Sequence, residues 1–257
     1  MSDHDQRRHD DKPVAQTPSL DPDGRARSLR STLIIRGFWI VVILILIQID
    51  GSLNEPLQKF YDMLGGDIRR EIKAYSQFGG FTSVVLIGLV MILMDRPKVS
   101  RVWDLALAMG LSSLTTMALK ILIGRPRPKF DVPGHFLGFW DTMTTTRDAE
   151  PIHSWEIWAN APNQLWSMPS GHTSAGFALA AFVGITYPKL RWLAFAIAVV
   201  VPISRMTEDA HWTSDVVAGA CVGTWVAGAV TRHGLGRRLA GRLGLSGRGR
   251  AHEAASG

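Results

Sequence analysis

Residues 33–49 read LIIRGFWIVVILILIQI, seventeen positions interrupted only by Arg36 and Gln48. So unbroken an apolar run has no polar face to offer water, and it approaches the roughly 20 residues a helix needs to cross a ~30 Å hydrocarbon core. Arg36 lies near one end, where its side chain can snorkel out to the headgroups. The run therefore reads as a membrane span. A cleaved leader is the weaker reading, because 32 residues precede the run and no small-residue cleavage site directly follows it.

The same pattern recurs along the chain. Phe81–Met94, Val102–Ile123, His172–Tyr187, Trp192–Ile203 and Asp215–Val230 are further apolar runs, the last rich in small residues that allow close helix packing in lipid. Residues 50–78 are polar and mixed in charge, with a short interfacial helix expected around Lys59 to Tyr75. Residues 124–170 contain six prolines and four tryptophans, and are too polar to cross a bilayer. The expectation is an all-α polytopic membrane protein: a disordered cytoplasmic tail over 1–30, a six-helix domain over 31–232, and a basic, Gly-rich cytoplasmic tail over 233–257.

The net charge is +6, which by itself is compatible with nucleic acid, an acidic membrane surface or an anionic substrate. The positions of the charges decide. Eighteen of the 28 Lys and Arg fall in 1–36, 96–101, 189–191 and 232–250, beside the ends of apolar runs. This is the positive-inside arrangement of a membrane protein and argues against nucleic acid as a partner. It places both tails inside and the loops 50–80, 124–171 and 204–214 outside. The single cysteine, Cys221, excludes an intrachain disulfide and a cysteine metal cluster.

Ionisable residues at membrane depth are costly and mark functional paths. Here they converge on the outward face. KILIGRPRP supplies Lys120 and Arg127, which taken alone could be cations snorkelling to headgroups. SMPSGHTSAG places Ser170, Gly171 and His172 at a helix start, where unpaired amides and the positive dipole end favour an anion. In SRMTEDAHWTSD, His211 and Asp215 are four apart, so on a helix the carboxylate could take the imidazole N–H and leave the other ring nitrogen free to attack. Glu208 and Asp209, between them and Arg205, read as solvated loop carboxylates.

Taken together, the three segments resemble the signature of the type-2 phosphatidic acid phosphatase (PAP2) superfamily, K-x6-R-P, P-S-G-H and S-R-x5-H-x3-D. Lys120, Arg127 and Pro128 fit the first, Pro169 to His172 the second, and Ser204, Arg205, His211 and Asp215 the third. The resemblance implies metal-independent, cofactor-free removal of phosphate from a lipid phosphate or diphosphate at the outer side of a bacterial inner membrane. Phosphatidic acid, phosphatidylglycerophosphate, undecaprenyl diphosphate and lipid A are the compatible substrates. It implies that His211 is the nucleophile forming a phosphohistidine, Asp215 its orienting partner, and His172 the acid and base. Lys120, Arg127, Ser170, Gly171 and Arg205 would hold the phosphate. A phosphotransferase passing the group to another lipid, and a silent membrane anion-binding protein, are the alternatives.

Overall fold

The computed structural model describes residues 22–245. Residues 1–21 of the expected first tail and 246–257 of the expected second lie outside the described residues, while 22–30 belong to a helix and 235–242 form another. By its internal contacts the chain divides into two units, residues 1–40 and 41–257, with the boundary inside the first helix, α1 (Pro22–Asp62). In the first unit the apolar side chains from Leu33 to Ile40 are exposed, which in water would be unfavourable and in lipid costs nothing.

The second unit is a helical bundle. After the end of α1 come α2 (Gly66–Tyr75), α3 (Phe81–Met94), α4 (Val102–Ile123), α5 (Gly171–Thr186), α6 (Arg191–Thr207), α7 (Thr213–His233) and α8 (Leu235–Arg242). The interfacial helix expected near Lys59 to Tyr75 is thus divided: α1 runs on to Asp62, and α2 begins at Gly66. Among the described residues, four helical segments are long and apolar enough to cross a membrane: Arg30–Asp62, Arg96–Phe130, Pro188–Thr207 and Thr213–His233. At 14 and 16 residues, α3 and α5 are shorter than a full span.

The centre of the bundle is α5, most of whose side chains are buried. Its Leu179, Phe182 and Val183 pack with Leu105 of α4, Met91 of α3 and Ala194 and Ala198 of α6. Its Ala178 and Ala181 pack with Ala108, Ala227 and Val230. Lipid removes most of the hydrophobic drive between helices, so these contacts depend on close fit. The fit is closest between α5 and α7. A Cβ at Gly219 would stand 2.5 Å from the carbonyl oxygen of Ser170, and one at Gly223 would fall on that of Ser174. The small residues read from the sequence are the reason the two backbones can touch.

Past His233 the chain does not simply trail away. Gly234 turns it with a left-handed φ of 58°, and α8 packs back on the start of α4. There Asp104, buried in α4, accepts hydrogen bonds from the Arg237 amide at 3.0 Å and the Arg237 Nε at 2.8 Å. The long segment 124–170 has its own small core of Leu137, Ile152 and Leu165 beneath a two-stranded antiparallel pair, β1 (Thr142–Met143) and β2 (Ile152–His153).

Candidate active site

Lys120 stands on the last turn of α4, which ends where Gly124 adopts a left-handed φ of 57°. A Cβ at Gly124 would come within 2.7 Å of Ser154 Cβ, so the turn needs glycine for space as well as conformation. Because the helix stops here, Lys120 and Arg127 do not share a helical face. They are brought together by the returning part of the long segment instead. Lys120 Nζ donates to the Trp166 carbonyl at 2.6 Å, and Arg127 Nε to the Asn163 carbonyl at 3.0 Å.

Ser170 caps α5 and is fully buried. Its amide donates to the Asp215 carbonyl at 2.9 Å, and its hydroxyl accepts from Thr173 at 3.0 Å. Gly171 and His172 follow at the first turn, where backbone amides have no intrahelical partners. The close α5–α7 contact at Gly219 is what sets this helix start against the start of α7.

His211 precedes α7 and is not part of it. Trp212 is the cap and Asp215 the third helical residue, with Asp215 Oδ2 accepting from the Trp212 amide at 2.9 Å. The expected i, i+4 pair on one helix face is corrected accordingly: Asp215 is committed to capping, and His211 meets it from the preceding turn. Nδ1 of His211 lies 3.8 Å from Asp215 Oδ2 and has no hydrogen-bond partner although it is buried. Active-site hydrogen bonds are often this loose without substrate and shorten in the reacting complex. Burial pushes the His211 imidazole down to about 4, and Lys120 and Arg127 add to the effect, while Asp215 opposes it. The ring is therefore neutral at ordinary pH, as a nucleophile must be.

Asp215 is itself held by groups that motif spacing did not reveal. Ser167 donates to Oδ2, and Arg125 Nη1 donates to Oδ1 at 2.7 Å. Arg125 also reaches Asp50, in the C-terminal half of α1, through Nη2 at 2.7 Å, and Ser214 hydrogen-bonds both. Asp50, Arg125 and Asp215 are all fully buried. One signal was present in the sequence: Asp50 follows the first apolar run directly, and an acid at that depth needs a partner.

Arg205 donates to Glu208, which also accepts from Ser204 at 3.2 Å. Asp209, at a left-handed φ of 54°, accepts from Gln58 at 2.6 Å and Asn54 at 3.3 Å. Neither carboxylate is the solvated loop residue expected. Glu208 is held by the last turn of its own helix, α6, and Asp209 by side chains of α1.

Lys120, Arg127, Gly171, His172 and His211 all line one cavity of about 470 Å³. Phe78, Met117, Ala175 and Trp166 are also among its lining residues. Ser170, Arg205 and Asp215 lie behind this lining rather than in it. Phe78 and the turn Gly79–Gly80 were not anticipated as site residues. They arrive because Gly79, at φ 89°, lets that turn rest on the backbone of Gly176.

The family model of the PAP2 superfamily matches residues 101–238, more than half the chain and inclusive of all three motif segments. The chain belongs to the PAP2 superfamily. Among curated PAP2-type relatives, lipid phosphate phosphatase 1 of Arabidopsis thaliana is 27% identical over 74% of this chain and 64% of its own length. A lipid A 1-phosphatase of Rhizobium johnstonii is 30% identical over 44% of this chain and 40% of its own. The match thus spans less than two thirds of either relative. A solved transmembrane PAP2-type phosphatidylglycerolphosphate phosphatase from Bacillus subtilis aligns with a TM-score of 0.51 and 21% identity, over 76% of this chain and 94% of that one. This last likeness is one of fold.

Proposed function

We propose that this PAP2 protein is an integral-membrane phosphatase that hydrolyses a lipid phosphate or lipid diphosphate. The observation that carries the reading is the composition of one cavity: two cations and two histidines in its lining, and the apolar side chains of Phe78, Met117, Ala175 and Trp166 in the same lining. A phosphate headgroup fits the first and an acyl or prenyl chain the second.

In this reading Lys120 and Arg127 bind the phosphate oxygens and bear the charge of the transition state. The free ring nitrogen of His211 attacks phosphorus in line, and Asp215 stabilises the imidazolium that results. The P–O bond to the lipid breaks as His172 gives its proton to the departing oxygen. His172, now neutral, then takes a proton from water, whose oxygen displaces His211 and yields orthophosphate. Arg205 joins the phosphate once Glu208 moves aside. The cationic lining supports catalysis without a metal, and no group of three or more His, Cys, Asp or Glu among the described residues is placed to hold one.

We place the cavity at the outer face of a six-span fold with both termini inside, a reading supported by the distribution of Lys and Arg. Phosphate release by the purified protein from phosphatidic acid, phosphatidylglycerophosphate, undecaprenyl diphosphate and lipid A is the deciding experiment. Release from at least one, inhibited by vanadate and unaffected by chelator, is expected. Absence of release from all four, or activity that requires an added divalent ion, would overturn the proposal. Reporter fusions within residues 140–160 should report an outside location, and a cytoplasmic signal would reverse the sidedness.

A further inference from the structure

A second cavity, of about 710 Å³, opens at the opposite end of the bundle from the histidines. It lies where α4 begins and α7 ends, roughly 30 Å along α4 from Lys120 at 1.5 Å per residue. Arg96, Arg232, Arg237 and Arg238 line it together with Trp103 and His233, and no acidic residue is among its lining. The adjacent carboxylate, Asp104, is already paired with Arg237. The side chains of Arg96, Arg232 and Arg238 have no ion-pair or hydrogen-bond partner among the described residues. Four guanidiniums from three elements thus surround one space with a single carboxylate to balance them.

The space is built by specific backbone features. Gly234 at a positive φ leaves room for the Arg237 guanidinium, whose Nη2 would stand 2.6 Å from a Cβ there. At Gly236 a Cβ would fall on the backbone of Trp103, so only glycine lets α8 lie against α4 and form the wall. On α8 the rows separate by function. Gly236 and Ala240 are buried against the bundle, Leu235 and Leu239 continue to Leu243 as an exposed apolar row, and Arg238 and Arg242 form a cationic row. An apolar row left uncovered beside a cationic one is the pattern of a helix lying in a membrane interface.

We propose that this cavity binds the phosphate headgroup of an anionic phospholipid, with the leucine row of α8 seated among its acyl chains. The site is separate from the catalytic cavity and serves a lipid that is not hydrolysed. Guanidiniums grip phosphate oxygens in pairs, and an anionic leaflet raises the local concentration of such headgroups. A zwitterionic headgroup brings a cation into the same space and is disfavoured.

The test uses full-length protein in neutral detergent, with retained lipid read by native mass spectrometry. Phosphatidylglycerol should be retained at least tenfold over phosphatidylcholine of equal chain length. Arg232→Gln with Arg238→Gln should abolish that preference while leaving p-nitrophenyl phosphate turnover unchanged, and His211→Asn should keep it. Millimolar inorganic phosphate should not displace the lipid. Equal retention of the two lipids, or a preference that survives the glutamine pair, would refute the site. Loss of preference in His211→Asn would assign the lipid to the catalytic cavity instead, and displacement by phosphate would make this a site for free anions. If the glutamine pair melts early, raising salt from 0.05 to 1 M on the unaltered protein decides. Retention then falls more than tenfold, or the proposal is wrong.

Discussion

Arg125 Nη1 donates to Asp215 Oδ1 across 2.7 Å with neither side chain exposed to solvent, and the same guanidinium holds Asp50 on α1. The group that orients the proposed nucleophile is therefore fixed from the segment just past α4, by a cation that the motif does not include.

Removing Arg125 leaves two buried carboxylates without their cation, whereas removing the charge of Asp50 leaves one carboxylate with one cation. Breaking a buried pair from one side costs about 3–5 kcal/mol. Arg125→Met should lower the thermal midpoint in detergent far more than Asp50→Asn does. Equal losses would show that the two carboxylates do not depend on the shared guanidinium.

His211 and His172 should separate by leaving group, because a nucleophile is always required and an acid only when the leaving oxygen is basic. His211→Ala should release neither lipid alcohol nor p-nitrophenol. His172→Ala should nearly abolish lipid turnover and yet release about one equivalent of p-nitrophenol while phosphoenzyme accumulates. A burst from His211→Ala and none from His172→Ala, with both folded, would reverse the assignment.

The depressed basicity of His211 has a pH signature. In the unfolded chain an imidazole takes up its proton near 6.5, while in the folded protein uptake waits until about 4. Between those values the unfolded state binds the extra proton, so stability from this group is complete above about 6.5 and declines as pH falls toward 4. The thermal midpoint of the unaltered protein should fall more between pH 7 and 4.5 than that of His211→Asn. Parallel curves would mean that the folded imidazole charges normally.

Gly223→Ala should destabilise by about 1–3 kcal/mol, since the added methyl meets the Ser174 carbonyl across the α5–α7 contact. Gly228→Ala, on the same helix with nothing within 4 Å, should be neutral or slightly stabilising. Activity should follow the first and not the second, because the α5–α7 contact carries both histidines. Similar melting of the two variants would remove the contact from the argument.

The tryptophans of the long segment divide by environment. Trp155 and Trp166 give their indole N–H to the carbonyls of Phe139 and Ser154 and hold the segment together, while Trp140 and Trp158 are 84% and 72% exposed. Exposed indoles beside a membrane face favour the interface. Replacing Trp140 and Trp158 with Ala should reduce turnover of a long-chain substrate more than of a short-chain soluble analogue. Equal reductions would assign them no part in lipid handling.

Apolar runs and motif spacing made much of this legible. Helices α3 and α4 begin and end at the residues where the apolar pattern does. Lys120, Arg127, His172 and His211 could be chosen by residue type and interval because a phosphate site needs those types. The roles of Asp50, Arg125, Asn163 and Trp166 could not. Each depends on which distant backbone or side chain it meets, and a hydrogen bond across 36 or more residues leaves no periodic trace. Asp209 was misread for the same reason, since its partners stand on α1, whereas Glu208 is held locally by Arg205 three residues before it.

In the proposed reading Arg205 reaches the phosphate only by leaving Glu208, so a carboxylate of the protein competes with the substrate for that guanidinium. A tethered carboxylate competes at a fixed effective concentration, whatever the amount of lipid outside. A phosphate monoester carrying two charges can win that competition, and a singly charged headgroup is at a disadvantage. The same competitor is still present after hydrolysis. It returns to the guanidinium as orthophosphate loosens, so selection against the wrong headgroup and clearance of the product become two effects of one side chain.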